Sequence, residues 1–231
     1  MDKNFTFAFL RHGAYQQKPN VPSAFQPYPL TKEGVTQSNQ AADLLQRYSK
    51  ELHKPISETL YSSNLLRAWQ TAKTLQTQLP GNQSVFHSVE LNERSMGAVA
   101  NLTVDEINQI LQDDPRFEAP AIAWKSNSHY RLPFDGCESL LDAGQRVADF
   151  IYTKASQNRH QLTVFVGHGA SFRHAAYHMG ILEFNDIAKL SMHYAEPIVF
   201  EWQSDTQTFN RLFGDWKYRD LTDAHTEQLI D

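Results

Sequence analysis

Two histidines stand at places where side chains can do chemistry. His12 follows the apolar residues 5–10 (FTFAFL) within Arg11-His12-Gly13, and His168 follows residues 162–166 (LTVFV) within Gly167-His168-Gly169. An apolar run cut short by a glycine-flanked polar residue reads as a strand that hands that residue to its carboxyl end. Two further runs end in the same way. Residues 59–61 lead into Ser62-Ser63-Asn64-Leu65-Leu66-Arg67, and residues 85–91 lead into Asn92-Glu93-Arg94. Ligands of open α/β sheets bind beyond the carboxyl ends of the strands, so histidines, arginines and a carboxylate converge on one edge.

These residue types suit phosphoryl transfer. A neutral imidazole nitrogen can attack phosphorus and hold it as a phosphohistidine, dividing one hard displacement into two easier ones. Arginines offer planar, permanently charged donors to the nonbridging oxygens. A carboxylic acid can protonate the leaving oxygen and then, as carboxylate, activate water. Because such reactions depend on positioning and charge stabilisation, cationic groups around the phosphate should dominate the rate.

The elements that must position these groups alternate along the chain. Residues 14–30 carry Pro19, Pro22, Pro27 and Pro29 and read as a long loop. Thr31 caps a helix through Lys50, with Val35, Ala42, Leu45 and Tyr48 at helical spacing. A second helix spans residues 64–78 and stops at Pro80-Gly81. Thr103 with Glu106 forms a capping-box pattern that opens a helix to Gln112. Residues 113–136 form an irregular, proline-containing excursion. Residues 139–156 place Leu140, Ala143, Val147, Phe150 and Ile151 on one helical face, and another helix runs from Gly169 to Met179. Residues 197–202 and 208–213 read as closing strands in a hairpin, and the polar residues after Tyr218 as a frayed end. This order predicts a three-layer α/β/α sandwich with a mainly parallel central sheet, formed by one domain over residues 1–231.

The motifs resemble those of the histidine phosphatase superfamily, the phosphoglycerate mutase-like family, across nearly the whole chain. The resemblance rests on Leu10-Arg11-His12-Gly13, Leu30-Thr31-Lys32-Glu33-Gly34, Ser62–Ala68, Leu91-Asn92-Glu93-Arg94, Cys137-Glu138-Ser139-Leu140 and Val166-Gly167-His168-Gly169-Ala170-Ser171, in family order. It implies His12 as nucleophile, with Arg11, Arg67 and His168 binding the phosphoryl group. It implies Glu93 as the proton donor, because His168 is followed by Gly169 and not by the aspartate of the acid-phosphatase branch. The Gly169 N–H, at a helix start, would add a donor, and no metal or cofactor is implied. Mutase-type positions differ: Met96 stands where the cofactor-dependent mutase has a tyrosine, Val104 aligns with its lysine, Lys18 replaces an asparagine, and its paired arginines have no counterpart near Trp124-Lys125. The resemblance therefore points to hydrolysis over re-transfer. Arg94, directly after the carboxylate, leads the candidates for holding the leaving group, with Tyr15, Tyr130 and Arg131 behind it.

Bulk properties narrow the partners. A formal net charge of −5 without a basic run excludes a broad nucleic-acid footprint, so the expected partner is a small phosphorylated metabolite or a phosphoprotein. No apolar stretch reaches the roughly 20 residues of a membrane span, and no secretory signal opens the chain. With a single cysteine, Cys137, a cytoplasmic location is expected. Nothing in the sequence specifies an oligomeric state. His174 and His178 have metal-ligand spacing but lack a third ligand and are read as an ordinary helix face. Glu138 reads as a helix-start charge or a site residue, the former preferred, and Trp202, Phe209, Phe213 and Trp216 as packing.

Overall fold

The computed structural model describes residues 3–22, 24–118, 120 and 123–219. The expected frayed end beyond residue 219 and part of the excursion lie outside these residues.

Four strands form the parallel part of a six-stranded sheet: β1 (Phe5–Arg11), β2 (Ile56–Ser63), β3 (Ser84–Ser88) and β4 (Leu162–Gly167). After the two-residue β5 (Leu190–Ser191) come β6 (Pro197–Gln203) and β7 (Thr208–Phe213), and the sheet order is β3-β2-β4-β1-β6-β7. The strands β6 and β7 are antiparallel, so the expected hairpin closes the sheet beside β1. A small second sheet pairs β5 with β8 (Lys217–Tyr218), which the short polar sequence did not signal.

The period of two in β1 divides its side chains between two cores. Phe5, Phe7 and Phe9 pack with Phe165, Val147, Ile151, Phe172 and Ala175, on the face covered by α4 (Leu140–Gln157) and α5 (Gly169–His178). Ala8 and Leu10 pack with Leu60, Val164, Ala42, Leu45, Ala72 and Leu75, on the face covered by α1 (Lys32–Leu52) and α2 (Leu66–Gln78). This is the expected α/β/α layering. Burial of each such phenylalanine is worth on the order of 2 to 3 kcal/mol. The Thr31 hydroxyl accepts from Gly34 N at 3.0 Å, and Ser139 caps α4 in a capping box with Asp142. The helix α3 (Val104–Asp113) opens on the predicted Thr103–Glu106 box.

Two boundaries differ from the sequence reading. The strand β2 is eight residues long, not three, because ladders to β3 and β4 on both sides hold its polar ends extended. Conversely, β3 stops at Ser88, whose hydroxyl accepts from Glu90 N and opens a 3-10 turn over Val89–Leu91. The excursion closes a third apolar cluster, in which Trp124 and Leu132 pack with Met96, Ile107, Leu111, Cys137 and Ala24 of the long loop. A four-residue helix, α6 (Phe184–Ile187), follows α5.

Candidate active site

Parallel register sets the geometry first. Arg11 lies opposite Gly167, and His12 N donates to Gly167 O at 3.0 Å, so His12 and His168 leave adjacent strands at the same level. Their ring centres are 5.2 Å apart. The turn after His12 is held tightly: Gly13 N donates to Thr71 Oγ1, and Ala14 N to Gln37 Oε1. Gly13 and Gly34 touch backbone to backbone, and a Cβ on Gly34 would fall 1.9 Å from Ala14 O. A side chain at either place would drive α1 away from the histidine turn.

Hydrogen bonding fixes the His12 tautomer. Gly13 O, an obligate acceptor, lies 2.8 Å from Nδ1, so Nδ1 carries the proton. Arg67 Nε, an obligate donor, lies 3.0 Å from Nε2, so Nε2 presents a lone pair. That nitrogen is the one equipped to attack phosphorus.

Arg67 is 1% exposed and organises the site. Besides His12, it donates from NH2 to His168 Nδ1 at 3.1 Å and to Ala24 O at 3.0 Å, and from NH1 to Gln26 O at 3.2 Å. Burial lowers its pKa, opposed by the nearby Tyr15 and Glu93. Tyr15 lies under the Arg67 guanidinium at 4.7 Å and edge-on to His12 at 5.3 Å. Arg11 donates to Met192 O at 2.8 Å and stacks on Tyr194 at 4.1 Å. Gly169 faces the Arg11 guanidinium, where a Cβ would lie 3.5 Å from Nε.

The Glu93 carboxylate meets the start of α5. Its Oε2 accepts from Ala170 N at 3.1 Å, and its Oε1 accepts from Arg94 N at 3.0 Å. Arg146 holds the backbone leading to it, donating to Val89 O, Glu90 O and Asn92 O from one nitrogen. The same guanidinium grips Glu138 through both carboxylate oxygens, at 2.9 and 2.7 Å, and Glu138 also accepts from Ser95 N. Glu138 is therefore half of a clamp on the backbone before Glu93, where the sequence preferred a helix-start charge to a site residue.

His12, Arg11, Arg67, His168, Glu93, Gly169 and Tyr15 thus come together at one sheet edge. Arg94 is buried beside Glu93, 6.0 Å from the Trp124 ring centre, and burial lowers its pKa. Arg131 is turned outward into an ion pair with Asp142 at 2.6 Å, and Tyr130 packs beside Trp124. Cys137 Sγ donates to Met96 O, and burial raises its thiol pKa, as suits an unreactive side chain. Trp202 and Phe209 pack against Phe5, while Phe213 stacks on Tyr48. Three contributors escaped the sequence reading. Tyr194 lies in a loop without periodicity, Arg146 looks like one more exposed helical charge, and Ser63 was only one letter of a motif.

His174 shows how α5 is tied to the excursion. Its Nδ1 donates to Ala170 O, and its Nε2 accepts from the Ser128 hydroxyl at 3.0 Å. Gly144 of α4 lies flat against it, where a Cβ would fall 2.4 Å from His174 Cβ. His178 reaches Leu141 O instead, so the two rings serve separate partners. Burial pushes the His174 pKa down to about 4 from an ordinary 6.5. Below pH 6.5 the unfolded chain takes up a proton that the folded chain refuses until about pH 4. Stability is therefore full above 6.5 and falls as the pH drops between those values, by about 3 kcal/mol in all. His168 is shifted in the same direction, by burial first and then by Arg67 and His12. Urea unfolding at pH 7 and pH 4.5 should reveal this loss, with a shallower pH slope in His174→Gln. An unchanged slope in that variant would remove His174 from the account.

Comparison with known proteins places the chain among relatives of the same fold. The chain is 28% identical to a 2,3-bisphosphoglycerate-dependent phosphoglycerate mutase of Elusimicrobium minutum, over 89% of this chain and 90% of that one. A mutase of the same description from Methanococcus vannielii is 25% identical over 83% and 88% of the two chains. Among solved structures, a mycobacterial glucosyl-3-phosphoglycerate phosphatase superposes with a TM-score of 0.67 at 21% identity, covering 90% of this chain and 97% of that one. An Entamoeba histolytica phosphoserine phosphatase in complex with 3-phosphoglyceric acid gives a TM-score of 0.64 at 18% identity, covering 93% and 98%. Residues 7–215 match the histidine phosphatase superfamily (branch 1), and the chain belongs to that family.

Proposed function

We propose that this protein hydrolyses phosphate monoesters without a metal, through a phosphohistidine on His12. The observation that carries the reading is the His12 tautomer: Nε2 is unprotonated and faces Arg67, with Arg11 and His168 around it. In the first step Nε2 forms a bond to phosphorus and the ester P–O bond breaks. Glu93 supplies the proton to the leaving oxygen. In the second step water attacks phosphorus, Glu93 takes its proton, and inorganic phosphate leaves with His12 restored. Arg11 and Arg67 offset the charge on the nonbridging oxygens, with the neutral His168 holding Arg67 in place through Nδ1.

One feature supports a small acidic ester as the substrate. Among the described residues, no acceptor bonds the buried Arg94 guanidinium, and a second anionic group on the substrate would offset the cost of that burial. Hydrolysis is favoured over re-transfer because Met96, where the mutase has tyrosine, is packed into the third apolar cluster. The mutase reading is kept as the alternative because the matched relatives named above are mutases. A phosphoprotein substrate would be recognised by phosphopeptide turnover exceeding that of small esters.

The test is hydrolysis of p-nitrophenyl phosphate and of alkyl phosphates with chelator present, alongside Glu93→Gln. Only poor leaving groups need the proton, so the variant should lose about 10² to 10³-fold on alkyl phosphates and far less on the aryl ester. Equal losses on both would place the acid elsewhere. Interconversion of phosphoglycerates faster than release of phosphate would establish the mutase reading instead.

A further inference from the structure

His168 faces the phosphoryl site with one nitrogen and the protein interior with the other. Its Nδ1 accepts from Arg67 NH2, an obligate donor, at 3.1 Å. In a neutral ring the proton then sits on Nε2, which meets Ser63 Oγ at 2.8 Å. Ser63 in turn donates to Asn92 Oδ1 at 2.8 Å. Asn92 Oδ1 is fixed as the amide oxygen, since the backbone Asn64 N–H also donates to it. The Leu65 N–H donates to Ser63 Oγ as well, and Asn92 Oδ1, which can only accept, takes the hydroxyl's own hydrogen. All three side chains are buried, and Asn92 directly precedes Glu93.

We propose that Ser63 and Asn92 are positioning residues for the phosphoryl site. Their chain, His168 Nε2–H to Ser63 Oγ–H to Asn92 Oδ1, selects the His168 tautomer that lets Arg67 stay aimed at His12. With the proton on Nδ1, His168 and Arg67 would point donors at each other, and Arg67 would be pushed from its 3.0 Å contact with His12 Nε2. The chain also links the phosphate side of the site to the backbone that carries Glu93, which Arg146 clamps through Asn92 O. Burial holds the His168 pKa well below its ordinary value, which keeps the ring neutral and makes tautomer choice the relevant variable.

The kinetic arm of the test rests on the phosphohydrolase reading; the spectroscopic arm does not. Two-bond 1H–15N correlation spectra of the histidine rings, with His168 assigned by comparison with His168→Gln, should show the Nε2–H form in the wild type. Asn92→Ala frees the Ser63 hydroxyl to donate to Nε2, so signal from the Nδ1–H form should appear. Ser63→Ala should likewise give a mixture and lower kcat on p-nitrophenyl phosphate by about ten- to a hundredfold, the usual effect of losing an orienting partner. Ser63→Thr, which keeps the hydroxyl, should restore both readouts. Urea midpoints identify any variant that fails to fold, and the spectra are then taken from the one that folds. A His168 that keeps one tautomer in the folded variants, or wild-type kcat in Ser63→Ala, would overturn the proposal. An inactive wild type would sink the hydrolase reading while the spectra still decide this one.

Discussion

His12→Ala should lose at least about 10⁴-fold in kcat on p-nitrophenyl phosphate and form no phosphoenzyme on brief mixing with substrate. The size follows from what the residue supplies. His168 Nδ1, the other unprotonated nitrogen on Arg67, is turned to that guanidinium, so without His12 Nε2 the reaction must proceed by direct attack of water. The cradle of Arg11, Arg67 and His168 would remain, so the variant should still bind inorganic phosphate. That combination, binding without turnover, separates loss of a nucleophile from loss of a fold. Activity that survives the substitution, once contamination is excluded, would overturn the central claim.

Arg67→Ala should be nearly as severe, for a different reason. Its guanidinium serves four acceptors at once: both site histidines and the carbonyls of Ala24 and Gln26. Removing it leaves these groups unpartnered in a place that water hardly reaches, at a cost of about 2 to 4 kcal/mol in stability. It also deletes a cation at the transferred group, worth about 10³-fold in rate. Arg67→Lys is the informative companion. Lysine keeps the charge but cannot span four acceptors from one plane, so it should recover little of either loss. Measurement of kcat/KM together with the urea midpoint for both variants tests this. Recovery to within about tenfold by lysine would mean that charge alone matters and that the planar fork does not.

The legible parts of the fold were those with local causes. The apolar run of β4, the Thr31 cap and the Thr103–Glu106 box are written in neighbouring residues, and the structure reproduces each. The convergence of His12, Arg67, Glu93 and His168 was legible too, because strand ends in a parallel sheet share one edge. The polar ends of β2 were not, since only pairing with β3 and β4 makes them strand. Nor were the contacts that tune the site. Tyr194 reaches Arg11 across the sheet edge from a distant loop, and Arg146 reaches Asn92 O from another layer. Such relations depend on three-dimensional placement, for which no spacing in the chain stands proxy.

The long loop after His12 is joined to its surroundings at several points. Val104 N donates to Asn20 O, Arg67 binds Ala24 O and Gln26 O, and Ala24 itself packs with Trp124 and Leu132 of the excursion. The long loop and the excursion are therefore packed against each other through Ala24, and the loop is tied in turn to Arg67 by two hydrogen bonds. Such a pair changes as a block: an exchange of one segment between relatives would strand the apolar partners of the other, so a stable graft has to carry both.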